Sequence, residues 1–212
     1  MSEKCKCNFG RVIKRIFGNR VVPKKNPNRL KLDMIRQYCD YIEEHLDNVD
    51  KAWNILKNVL REQNVIYDDF LFFTIVGMIE NHDVSKMSDE EFLPYAEWFF
   101  GSYGVNYDPV DDDVFEDEHK EVKSAFDAAW EHHKENNPHH WQKWTKATER
   151  FPNESACHVV CMVADWMAMG MKFGDTAEQY YEREKDKMEL PGWAVEFLQQ
   201  IFVELRKNRP TR

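Results

Sequence analysis

The stretch MIRQYCDYIEEHLDNV, residues 34–49, returns to apolar side chains at Ile35, Tyr38, Ile42 and Val49, with His45 on the same stripe. Steps of three and four place these positions on one face of an α-helix, because a helical turn takes 3.6 residues. The same period recurs along the chain. A second helical stretch, Val49 to Leu60, continues from the first or bends near Asn48. Asp69 caps a helix through Phe72, Phe73, Val76 and Ile79. Ser88-Asp89-Glu90-Glu91 reads as a capping box for a helix with Phe92, Tyr95 and Phe99, ended by Gly101 and Gly104. Val122, Ala125, Phe126, Ala129, Trp130 and His133 share one face of the next helix, which Asn136-Asn137-Pro138 breaks. Glu154 to Met171 is a strongly apolar helix, and Thr176 to Met188 and Trp193 to Arg206 follow as amphipathic ones. No segment alternates as a strand and none repeats. The pattern predicts an all-α fold.

Composition agrees. The 212 residues are 42% hydrophobic and 14% aromatic, enough for one domain with a real core, and only 8 Gly and 8 Pro favour long helices over a turn-rich fold. Charge is uneven. Residues 1–31 hold ten Lys and Arg against one Glu, a net of +9, while the whole chain carries −9. Residues 1–30, interrupted by Pro23 and Pro27, are therefore read as a basic, partly ordered arm with one short helix near Val12 to Phe17, and residues 31–212 as the helical domain. The arm is the only part expected to meet nucleic acid, since the body is acidic. Asp108 to Glu118, with seven acids and Pro109, reads as an exposed loop. The five cysteines form no regular framework, which suits a reducing cytoplasm. No apolar run spans a bilayer and no signal peptide is visible, so no membrane partner is expected.

Chemistry concentrates on a few polar residues in apolar surroundings. His82-Asp83 follows the apolar run Phe70 to Ile79, and Asp165 lies inside the string Val159-Val160-Cys161-Met162-Val163-Ala164-Asp165-Trp166-Met167. Burying such groups is costly unless something compensates them, and a metal is the commonest partner of a neutral imidazole beside a carboxylate. His45, His82, Asp83 and Asp165 together supply the donors of one site. Four histidines, His132, His133, His139 and His140, crowd the segment around Pro138. His133 continues the inward stripe and is preferred to His132. After the Pro break, His140 or its neighbour His139 turns toward the same centre, and His140 is taken as the ligand. His133 and His140 allow a second metal with Asp83 bridging. Imidazole and carboxylate donors suit Mn, Fe, Co, Ni or Zn better than Mg. Tyr95, Trp98, Trp130, Trp141 and Trp144 suit base stacking, but core packing is the simpler account.

The order His45, His82-Asp83, then the histidine block, then Asp165 resembles the ligand order of the HD superfamily of metal-dependent phosphohydrolases, on an HD-domain-like helical bundle. The strings His82-Asp83-Val84-Ser85-Lys86, Trp130 to His133, Asn137-Pro138-His139-His140 and Ala164-Asp165-Trp166 resemble an HD-related family of unknown function from bacteria and their phages. The resemblance covers roughly residues 32 to 185. It implies hydrolysis of a nucleotide or other small phosphate ester by a metal-activated water, with Asp83, Lys86 and His133 as catalytic residues. Lys86 would meet a substrate phosphate as a point charge, and His133 or His140 would protonate the leaving oxygen when not a ligand. Asn137 is expected to cap the turn before Pro138. Two other readings use the same residues: a di-iron oxygenase, and a non-catalytic helical protein with a structural metal or none.

Overall fold

The computed structural model describes residues 26–62, 69–106, 116–144 and 152–208. Among them the chain is all-α, with no strand. The helices are α1 (Pro27–Glu62), α2 (Asp69–Glu80), α3 (Phe92–Phe100), α4 (Glu116–Asn136), the single turn α5 (Trp141–Trp144), α6 (Pro152–Phe173), α7 (Ala177–Glu184) and α8 (Gly192–Lys207). Short 3₁₀ turns lie at Val84–Met87 and Lys185–Lys187. No helix among the described residues is long and apolar enough to cross a membrane.

The two stretches expected on either side of Asn48 form one helix of 36 residues, about 54 Å at 1.5 Å per residue. It starts within the predicted arm. Asn26 Oδ1 accepts the Asn28 backbone N–H at 2.9 Å, and Pro27 occupies the first helical position, where its missing N–H costs nothing. Residues 1–25, including the short helix expected near Val12 to Phe17, lie outside the described residues, as does most of the acidic loop. The capping box expected at Ser88 is not what opens α3. Glu91 occupies the N-cap without a side-chain cap bond, and its fully buried carboxylate instead faces His132 Nδ1 at 2.7 Å. Thr176 does form a capping box, with Gln179, at the start of α7.

The chain divides into two compact units, and α1 and α4 contribute residues to both. One unit comprises Met1–Ile42 and Lys86–His132. Its described core is aromatic: Tyr38 stacks on Tyr95, Tyr95 meets Phe126 edge-on at 5.4 Å, and Trp98 stacks on Phe126 at 4.9 Å. Tyr95 and Trp98 are thus engaged in packing.

The other unit, Glu43–Ser85 and His133–Arg212, is built around α6. This helix packs against α2, α5, α7 and α8, which explains why its sequence is apolar on nearly every side. Val159, Val163, Leu56, Ile75, Leu198 and Ile201 are fully buried in this core. Gly174 (φ +84°) ends α6, its N–H reaching the Gly170 carbonyl at 2.7 Å in the left-handed turn that glycine tolerates best.

Removing a fully buried side chain from this core leaves a cavity as well as losing apolar burial. Ile75→Ala is expected to lower the unfolding free energy by about 2–5 kcal/mol in urea denaturation. Phe73→Ala, at a side chain 67% exposed, should change it by less than about 0.5 kcal/mol. Cys39 is exposed, whereas Cys157 and Cys161 are buried and burial pushes the Cys161 thiol up. A thiol reagent should therefore label Cys39 in the native chain and reach Cys157 and Cys161 only on unfolding.

Candidate metal centre

α2 ends at Glu80, and the chain then turns sharply. Asp83 adopts φ +58°, the left-handed region that few residues other than glycine enter and that aspartate tolerates better than most. The turn lets two consecutive side chains, His82 and Asp83, face the same centre although both are buried. His45 comes from α1 and Asp165 from α6. Beside them, Lys172 makes an ion pair with Glu44, tying α6 to α1 two turns beyond Asp165. Where α4 ends, Asn137-Pro138 redirects the backbone and carries His139 and His140 back toward His133.

All of these donors belong to the unit centred on α6. On one side, His45 Nε2 lies 3.2 Å from His82 Nε2 and 3.2 Å from Asp83 Oδ2. Asp165 Oδ1 lies 3.4 Å from His45 Nε2 and 3.5 Å from His82 Nε2, and His82 Nε2 is 3.6 Å from Asp83 Oδ2. The other oxygen of Asp83 faces a second set. Oδ1 is 3.3 Å from His133 Nε2 and 3.3 Å from His139 Nε2. His133, His139 and His140 each offer a ring nitrogen within 4.8 Å of the others.

These spacings suit a shared cation. Neighbouring donors around a first-row metal, with bonds of about 2.0–2.2 Å, stand about 2.8–3.1 Å apart in octahedral and about 3.3–3.6 Å apart in tetrahedral geometry, a combined window of about 2.8–3.6 Å. The five distances among His45, His82, Asp83 and Asp165 fall in that window. The electrostatics agree. Burial and the His82 charge push His139 down to about 4, against the pull of Asp83, and burial with its histidine neighbours holds His140 well below the ordinary imidazole value. Burial would raise the Asp165 carboxyl, but the hydrogen bond from His82 and the nearby histidines outweigh it and keep it ionised. A buried carboxylate, Asp83, and a partly exposed one, Asp165, thus sit among imidazoles, two of which are held neutral. Neutral imidazole is the ligating form, and carboxylates in a dry pocket are best compensated by a positive ion.

Of the residues expected from the sequence, His45, His82, Asp83, His133 and Asp165 meet in this cluster. His140 joins through the histidine trio, its ring 4.8 Å from that of His133. His139, the alternative to His140 in the sequence, is the one that reaches Asp83, and its ring also stacks on His82 at 4.1 Å. Only the Pro138 break pointed to this, and it did not distinguish the two. His132 belongs to the other unit, where it pairs with Glu91. Lys86 also falls in that unit, half-buried in the 3₁₀ turn three residues after Asp83. Sequence reasoning missed the engagement of His133 Nδ1. Ser85 Oγ lies 3.3 Å from it and Asn137 Nδ2 3.0 Å, and Asn137 caps α4 by donating to the His133 carbonyl.

The fold and the cluster together define an all-helical protein with a buried histidine–carboxylate centre of metal-ligand spacing. The chain belongs to a family of unknown function, DUF5662, whose model matches residues 34–204 and so takes in every donor named above. Neither the curated proteins nor the solved structures contain a match to it.

Proposed function

We propose that this chain is a metal-dependent phosphohydrolase related to the HD superfamily, acting on a nucleotide or other small phosphate ester. One observation carries the reading: the buried Asp83 carboxylate presents Oδ2 to His45 and His82 and Oδ1 to His133 and His139. A carboxylate with a separate imidazole set at each oxygen has the form of a bridge between two ions. His45, His82, Asp83 Oδ2 and Asp165 would hold one ion. His133, His139 and Asp83 Oδ1, with His140 beside them, would hold the other. Mn, Fe, Co, Ni or Zn fit this donor set. A pair of such ions supplies an activated water and neutralises charge on a phosphoryl group.

The chain's own residues do the rest. Asp83 fixes the separation of the two donor sets, and its backbone turn keeps His82 in the first. Asp165 is the most exposed member of the first set, at 17% of its side chain against 1% for Asp83. Substrate therefore approaches past Asp165, while the bridge stays dry. His133 acts as a ligand rather than a proton donor, because its Nε2 faces Asp83 and its Nδ1 is engaged by Ser85 and Asn137.

The metal requirement is tested on chain stripped with a chelator. Mn, Co, Ni or Zn at a hundred times its dissociation constant should raise the unfolding free energy by about 2.7 kcal/mol, seen as a higher thermal midpoint. Mg at the same concentration should leave it unchanged. Activity is tested by phosphate release from a panel of nucleotides with each metal. We expect turnover that a chelator abolishes, and a fall of about a thousandfold in kcat/KM for Asp83→Ala or Asp165→Ala, the loss of several kcal/mol of charge stabilisation. Metal-loaded chain that releases no phosphate from any member of the panel would overturn the hydrolase reading.

A further inference from the structure

We infer that Ser85 and Asn137 are positioning residues that choose which nitrogen of His133 carries the proton, and thereby whether the second donor set can take a cation. The inference rests on the metal reading above and adds to it the control of one ligand. His133 Nδ1 is crowded by two polar side chains. Asn137 Nδ2 lies 2.6 Å from Ser85 Oγ, 2.8 Å from the His133 carbonyl oxygen and 3.0 Å from His133 Nδ1. Ser85 Oγ lies 3.3 Å from the same Nδ1.

The carbonyl oxygen only accepts, so the amide must present its nitrogen here and not its oxygen. That nitrogen has two hydrogens. The two shortest contacts take them: one is donated to the His133 carbonyl and one to Ser85 Oγ. Ser85 Oγ is left with one hydrogen and one lone pair, and it becomes the hydroxyl that answers His133 Nδ1 in either of two ways. It donates to a bare Nδ1, and the ring proton then sits on Nε2, facing Asp83 Oδ1 at 3.3 Å. Alternatively it accepts from Nδ1–H, and Nε2 is then bare. Only the second tautomer can bind a cation between Nε2 and Asp83. Passing between the two moves one ring proton from Nε2 to Nδ1 through solvent and rotates one hydroxyl, with no change in charge.

Removing the hydroxyl breaks this balance in one direction. In Ser85→Ala, the hydrogen that Asn137 gave to Ser85 turns to His133 Nδ1, which must then be the acceptor. A proton on Nδ1 would stand donor-to-donor against the amide at 3.0 Å. The ring is held with its proton on Nε2, the form that cannot ligate. Partners of this kind, which orient a metal-binding histidine through its other nitrogen, typically change metal affinity by about 10–100-fold. The first donor set does not include His133, so it keeps its affinity.

The test is calorimetric titration of metal-free chain with Zn(II), alongside nitrogen NMR of the His133 ring to read its tautomer. Wild type should bind two equivalents. Ser85→Ala should bind the first as wild type does and the second about 10–100-fold more weakly, with the His133 proton fixed on Nε2, and Ser85→Thr should restore the second. Ser85→Ala binding both equivalents like wild type would overturn the inference and leave the metal reading standing. Weakening of both equivalents alike would also overturn it, since Ser85 would then be a general support of the fold. A wild-type chain that binds no Zn(II) or other transition metal would remove the metal reading and this inference with it.

Discussion

A carboxylate enclosed by imidazoles is the constraint around which the α6-centred unit is arranged. Asp83 is nearly sealed from solvent, and an ionised carboxylate in such a place is stable only when hydrogen bonds or a positive charge replace the water it has lost. Each oxygen has been given its own pair of nitrogens. Meeting that demand requires side chains from α1, from the turn after α2, from α4 and from the segment that leaves it, with Asp165 on α6 completing the first set. It also requires the backbone at Asp83 to enter the left-handed region, which costs on the order of 1 kcal/mol for a residue with a side chain. Strain of that kind persists where the surroundings over-determine it. Here they do so by holding His82 and Asp83 toward one point.

The core explains how so polar a cluster is tolerated. α6 is buried along most of its length, with Val159, Val160, Met162, Val163 and Ala164 nearly or wholly inaccessible. Asp165 follows them directly, so its carboxylate is placed by the most tightly packed helix of the unit. The Lys172–Glu44 pair ties α6 to α1 at the residue next to His45. Ligands mounted on packed helices hold their geometry better than ligands on loops. The histidine block after α4 is the exception. His139 and His140 lie on a turn, and Asn137 fixes where that turn begins by donating to the His133 carbonyl at the end of α4.

Much of this was legible in the sequence because helical periodicity is a local signal. The stripe from Ile35 to Val49 placed His45 inward, and the unbroken apolar run around Asp165 marked a charge that needed compensation. What was not legible depends on chain direction after a break, or on partners distant in sequence. Pro138 announced a turn without saying whether His139 or His140 would face Asp83. Asn26-Pro27 is a sound helix start, yet the surrounding basic residues drew attention to charge instead. Ser88 to Glu91 has the letters of a capping box, but Glu91 found a better partner in His132, 41 residues later, than in the backbone beside it. Ser85 carries no local signal and Asn137 only that of a cap, since the partner they share is a ring nitrogen brought between them only by folding.

Anomalous X-ray scattering from crystals grown with Mn decides whether Asp83 bridges two metal ions. A bridge gives two anomalous peaks about 3.5–4 Å apart, one within bonding distance of His45, His82 and Asp165, the other of His133 and His139, with one oxygen of Asp83 on each. A single peak, or no peak within the cluster, rules the bridge out.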